Sequence, residues 1–153
     1  MSKHILDVSP SFLSIIKINQ INKFPVSLHE FRISGKQFCK ILASGRHHKE
    51  LSFTCCELMI SKDTNLSNGM SRSSLEKLVF TYCKIPGCSP KALVKLYKAL
   101  IPILATSEDL KQSLKILNIS NFSNLNADVK SIQVRVSSVA AKCDFHNLII
   151  DPR

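Results

Sequence analysis

Six cysteines and five histidines are the residues of this 153-residue chain best equipped for covalent or metal chemistry. A tetrahedral zinc site needs four thiolate or imidazole ligands, usually supplied in closely spaced pairs. The candidates are His47, His48, Cys55, Cys56, Cys83 and Cys88, yet no Cys-x-x-Cys occurs: Cys55 and Cys56 are adjacent, and four residues separate Cys83 from Cys88. Adjacent side chains in a strand point to opposite faces, so only one of Cys55 and Cys56 could join a cluster. Thiol catalysis would need His48 or His146 beside a cysteine, and no nucleophile turn or oxyanion loop flanks any of the thiols. Gly35, Gly45, Gly69 and Gly87 are scattered, so no glycine-rich phosphate loop exists. The expectation is a non-enzymatic protein with no catalytic residue, no metal ligand and no cofactor. The cysteines then need a reason in the architecture.

Length and composition describe one domain able to bury roughly two-thirds of its unfolded surface. Hydrophobic residues make up 44% and charged residues 21%, the usage of a folded chain, and Trp is absent. The longest apolar candidate, Ala92 to Ala105, is interrupted by Lys95, Lys98 and Pro102, which argues against a membrane span. The first 20 residues lack a continuous apolar core followed by a small-residue cleavage site, so no secretory signal is read. An intracellular setting, cytoplasmic or nuclear, follows as the expectation, with Cys39, Cys55, Cys56, Cys83, Cys88 and Cys143 as thiols rather than disulfides.

The elements that must position these residues alternate from Ser27 onward. "SLHEFRIS" is β-like, with Leu28, Phe31 and Ile33 apolar, and "KQFCKILAS" sets Phe38, Ile41 and Leu42 at helical spacing before Gly45. "ELSFTCCEL" places Leu51 and Phe53 two apart, as in a strand facing a core. Ser61 to Ser74 is polar and reads as a loop. After "LEKLVFTYCKI", the clearest helix has Ser89 as cap, Pro90 at its first position and a stripe of Leu93, Leu96, Tyr97 and Leu100, until Pro102 kinks or ends it. Ser107, Glu108 and Asp109 mark another helix start, leading into "SLKILNISNFSNL". "VKSIQVRV" reads as a strand through Val129, Ile132, Val134 and Val136, and "FHNLIID" as a last one.

Three segments fit one template, apolar-x-x-Leu-x-apolar-x-x-Cys-x-apolar. "HKELSFTCCEL" fits through Leu51, Phe53, Cys56 and Leu58; "LEKLVFTYCKI" through Leu75, Leu78, Phe80, Cys83 and Ile85; "LKILNISNFSNL" through Leu114, Leu117 and Ile119, with Phe122 in place of cysteine. "LHEFRIS" is a weaker copy through Leu28, Phe31 and Ile33. Over roughly residues 27 to 125 this resembles the leucine-rich repeat family, in the subclasses with a helix on the convex side and Asn or Cys at the turn after the strand. The resemblance implies an α/β fold, a short solenoid of alternating strands and helices with a parallel sheet, used mostly for protein–protein recognition. Cys56 and Cys83 fall where the chain leaves the strand, a tight place suited to a small side chain that bonds weakly inward.

The copies are irregular. Leu51 to Leu78 spans 27 residues, Phe31 to Leu51 spans 20 and Leu78 to Leu117 spans 39, and His48 stands where a leucine belongs. Residues 1–26 read as an N-terminal capping segment, 27–125 as repeat units and 126–153 as a strand-rich C-terminal cap. Strand alternation nominates Glu50, Ser52, Thr54, Lys77, Val79, Thr81, Lys115, Asn118 and Ser120 as a concave surface for another protein. The formal charge of +10 supports an alternative, a nucleic-acid or ribonucleoprotein component with a basic stripe of Lys36, Lys40, Arg46, Lys49, Lys91, Lys95 and Lys98 on the convex side. No membrane partner is expected, and exposed end cores would favour self-association.

Overall fold

Glu50–Thr54 and Lys77–Thr81 each alternate half-exposed and fully buried residues, the signature of strands with one face in a core. In the computed structural model, which describes residues 6–7, 26–44, 49–66, 75–89, 92–120 and 129–151, they belong to a mixed α/β fold. The described elements are β1 (Leu6–Asp7), β2 (Val26–His29), β3 (Phe31–Ser34), α1 (Gly35–Ser44), β4 (Glu50–Thr54), β5 (Glu57–Met59), β6 (Lys77–Thr81), α2 (Leu93–Leu104), α3 (Glu108–Ser113), β7 (Ile116–Ser120), α4 (Val129–Lys142) and β8 (Ile149–Asp151). A five-stranded sheet has the order β2-β4-β6-β7-β8, and a three-stranded sheet the order β1-β3-β5. Every neighbouring pair is parallel.

Register stacks like on like. Leu51, Leu78, Leu117 and Ile150 form one buried row, and Leu28, Phe53, Phe80 and Ile119 the next. Phe53 and Phe80 stack at 5.0 Å with planes 6° apart, while Phe38 of α1 tilts onto both, at 5.8 and 6.4 Å. Full burial of each such side chain contributes about 1.5–3 kcal/mol. The helices add Ile41 and Leu42, Leu96, Tyr97 and Leu100, Leu110, and Ile132 and Val136 to the same core.

Between the two sheets the chain turns at three equivalent residues. Glu30, Cys55 and Tyr82 have φ of 60°, 54° and 55°, and each donates its N–H to the neighbouring strand, to the carbonyls of Thr54, Thr81 and Ser120. A left-handed residue redirects the strand and still satisfies its backbone donor. "SLHEFRIS" is accordingly two strands, β2 and β3, split at Glu30.

The turns also correct the first repeat's phase. Val26, not Phe31, pairs with Leu51, and Leu28 with Phe53, so the first two strands are 25 residues apart rather than 20. Phe31 follows the left-handed residue as Cys56 and Cys83 do. The "VKSIQVRV" run is a further correction: it forms the first half of α4, a helix rather than a strand. Ile132, Val136 and Ala140 recur at helical spacing and are buried, while Val134, expected to face inward, is 72% exposed. The strand expected in "FHNLIID" is β8, in register with β7.

Helix ends follow local chemistry. Ser34 Oγ accepts from Gln37 N and Gln37 Oε1 from Ser34 N, both at 3.1 Å, a capping box that starts α1. Ser107 Oγ accepts from Leu110 N at 3.3 Å to start α3, as expected. α2 starts later than expected: its N-cap is Ala92, without a side-chain cap bond, and Pro90 lies outside the described residues. It also continues through Pro102 to Leu104. The proline is exposed and near the helix end, where only one intrahelical bond is forgone.

Candidate interaction surfaces

The solvent face of the five-stranded sheet is built from the residues between the core positions. One row runs Glu50, Lys77, Ile116, Ile149; a second runs Ser27, Ser52, Val79, Asn118, Asp151; a third runs His29, Thr54, Thr81, Ser120. Eight of the nine residues expected here take these places. The ninth is corrected: Lys77 pairs with Ile116, so Ile116 occupies the position assigned to Lys115. Lys115 precedes β7 and lies out of phase with Asn118 and Ser120, because alternate strand residues are two apart. The outer strands add Ser27, His29, Ile149 and Asp151, which the sequence reading missed although alternation about Leu28 and Ile150 marks them.

Hydroxyls and small polar groups dominate the two rows nearest the turns. Asn118 is 8% exposed, and its Oδ1 accepts from Ser120 Oγ at 3.0 Å; Ser27 Oγ and His29 Nε2 share a bond of the same length. The charged row is internally matched, with Lys77 Nζ 3.7 Å from Glu50 Oε1. Beside it Lys115 Nζ sits 3.0 Å from Glu76 Oε1 and holds that carboxyl below its usual range. The face is therefore close to electrically neutral, with Val79, Ile116 and the exposed Ile149 as its apolar members.

At the strand ends, Cys56 and Cys83 do what their spacing suggested. Both are buried. Cys56 Sγ donates to the carbonyl of Leu28 at 3.6 Å and Cys83 Sγ to that of Phe53 at 3.3 Å, so each thiol ties its turn to the preceding strand. Cys83 is held well above the ordinary thiol value by the hydrogen bond it shares with Cys56 and by burial. All six cysteines stand as thiols. Among the described residues no group of three or more His, Cys, Asp or Glu could hold a metal; His47 and His48 lie outside them.

The residues of the expected basic stripe separate. Lys36 and Lys40 lie on α1 and Lys95 and Lys98 on α2, all exposed, whereas Lys49 precedes β4, where its carbonyl accepts from Glu76 N and Lys77 N. Arg46 and Lys91 lie outside the described residues.

Two contacts lock helices to the far end of the sheet. The Tyr97 hydroxyl of α2 accepts from Ile119 N at 2.8 Å and donates to the Asp151 carbonyl at 3.2 Å. Gln133 Nε2 of α4 donates to the Ile150 carbonyl at 3.0 Å, occupying an acceptor on the edge strand β8. Among the described residues no helix is long and apolar enough to cross a membrane. No protein-family model, no curated protein and no solved structure matches this chain.

Proposed function

We propose that this protein is a non-enzymatic interaction module of the leucine-rich repeat type, a short solenoid that binds another protein through the solvent face of its parallel sheet. The observation that carries the reading is the sequential, in-register stacking of β2, β4, β6, β7 and β8, with three repeated left-handed turns and two cysteine ties at equivalent places. Such stacking turns units that could not bury their own apolar edges into one continuous core, and it leaves a row-ordered face whose side chains are set by the register. Ser52, Val79 and Thr81 sit at the centre of that face, where interface residues carry most binding energy.

The test is affinity capture from source-cell lysate with the tagged chain, in parallel with a Ser52→Arg/Thr81→Arg variant, each with nuclease and at high salt. A partner protein that withstands nuclease and salt, and is lost from the double variant, supports the sheet face as the site. A partner held equally by both proteins removes the assignment of the face.

A further inference from the structure

Beside β5 the strand pairing stops after a single bridge. Glu57 pairs in parallel with Lys84, whose N–H donates to the Cys56 carbonyl at 2.9 Å, while Leu58 N donates to the Lys84 carbonyl at 2.8 Å. The next donor in that ladder would be the N–H of residue 86, which is proline and has none. The chain turns away instead. Cys88 N donates to the Ile85 carbonyl at 3.1 Å across Pro86 and Gly87, and Gly87 has a φ of 80°, the pattern of a type II turn. Between this turn and β5 lies a cleft of about 320 Å³.

The cleft combines apolar walls with one spare charge. β5 lends Met59, which is 44% exposed, and the turn lends Ile85 and Pro86. Nothing of the chain fills the space over Gly87, where an added Cβ would meet no atom within 4 Å. Strand alternation puts Glu57 on the same face as Met59, and the bridge sets Lys84 next to Glu57. Glu57 is engaged by Arg32 of β3 at 3.2 Å, whereas Lys84 is exposed and, among the described residues, forms no ion pair. Arg32, Glu57 and Lys84 together leave a single positive charge at the rim.

We propose that this cleft binds a small aromatic carboxylate, with its ring between Met59 and Pro86 and its carboxylate on Lys84. The volume lies at the lower end of the range for ligand pockets and suits a molecule of about ten non-hydrogen atoms. A thioether and a proline ring favour an aromatic body, since methionine sulfur makes attractive contacts with aromatic rings. One uncompensated ammonium at the mouth complements one negative charge. The cleft shares no residue with the solvent face of the five-stranded sheet, so a ligand here is independent of the protein-binding role proposed above.

The experiment is an amide NMR titration of the isotope-labelled full chain with sodium phenylacetate, and with phenylacetamide as the uncharged match in shape. Phenylacetate should produce saturable shifts at Met59, Gly87 and Cys88, with a dissociation constant of about 1–10 mM for a ligand of this size. Phenylacetamide should bind about two- to fivefold more weakly. Lys84→Gln should weaken the acid by that same factor of about two to five and leave the amide unchanged. Met59→Ala should weaken both ligands about threefold, through lost apolar contact. Both side chains are exposed, so these variants keep the fold. Shifts that do not saturate, shifts confined to other residues, equal binding of acid and amide, or an acid affinity indifferent to Lys84→Gln overturns the proposal.

Discussion

Leu78 is fully buried between Leu51 and Leu117 in one row of the parallel sheet, whereas Thr81 stands half-exposed on the other face. Alanine at Leu78 should cost about 2–5 kcal/mol, through lost burial and the cavity left behind. Alanine at Thr81 should stay within about 0.5 kcal/mol. Urea unfolding of the two variants checks the pair, and an unchanged midpoint for Leu78→Ala would break the register. At this scale the sequence was informative wherever a side chain's identity fixes its place. Small apolar thiols two residues past a strand marked Cys56 and Cys83, and Leu-x-Phe marked the core rows. The left-handed turns were illegible because Glu30, Cys55 and Tyr82 are not glycine, so nothing in their chemistry announces a positive φ. That gap produced the wrong phase for Phe31.

Elements were readable where one period prevailed over a long window. β4 and β6 alternate cleanly, and Ser107 announces α3. α4 was misread because Ile132, Val134 and Val136 alternate by chance within a run whose buried residues, Ile132, Val136 and Ala140, follow the helical period. Only the stretch beyond Val136 distinguishes the two. The Ser34–Gln37 capping box was visible as Ser-x-x-Gln and went unread. Contacts between elements have no local signal, and the tyrosine lock of α2 on β7 and β8 is the clearest case. Tyr97→Phe keeps the ring but orphans the Ile119 N–H inside the protein, so it should cost about 1–3 kcal/mol. Hydrogen exchange at Ile119 should quicken with it; protection and stability equal to wild type would show that the hydroxyl contributes nothing.

For the whole molecule, the sequence supplied a net charge, and the fold pairs only part of it: Arg32, Lys77, Lys111 and Lys115 meet carboxylates, while α1, α2 and α4 carry cations and no acidic residue. Its response to alkali follows from two buried acids. Cys83, bonded to Cys56 and buried, and Tyr97, buried, both hold their protons above the ordinary values of 9.0 and 10.0. Below about pH 9 both are protonated whether the chain is folded or not, and stability is unaffected by them. Above it the unfolded chain sheds protons the folded one retains, so stability should fall with rising pH, by up to about 1.4 kcal/mol per unit for each group. Denaturant titrations at several alkaline pH values should show that decline, and Cys83→Ala should make it shallower between about pH 9 and 10. A flat profile would mean that both groups ionise inside the fold.

The tyrosine lock also has an optical consequence. The chain contains two tyrosines and no tryptophan, and Tyr82 is 36% exposed whereas Tyr97 is fully enclosed. In the tyrosine band, near-ultraviolet dichroism therefore weights the immobilised Tyr97 phenol at the seam of α2, β7 and β8 over the more exposed Tyr82. A melting curve recorded by that light would follow the loosening of this seam, while amide dichroism would follow the chain as a whole. Any separation between the two curves would reveal the end of the sheet unzipping before the rest.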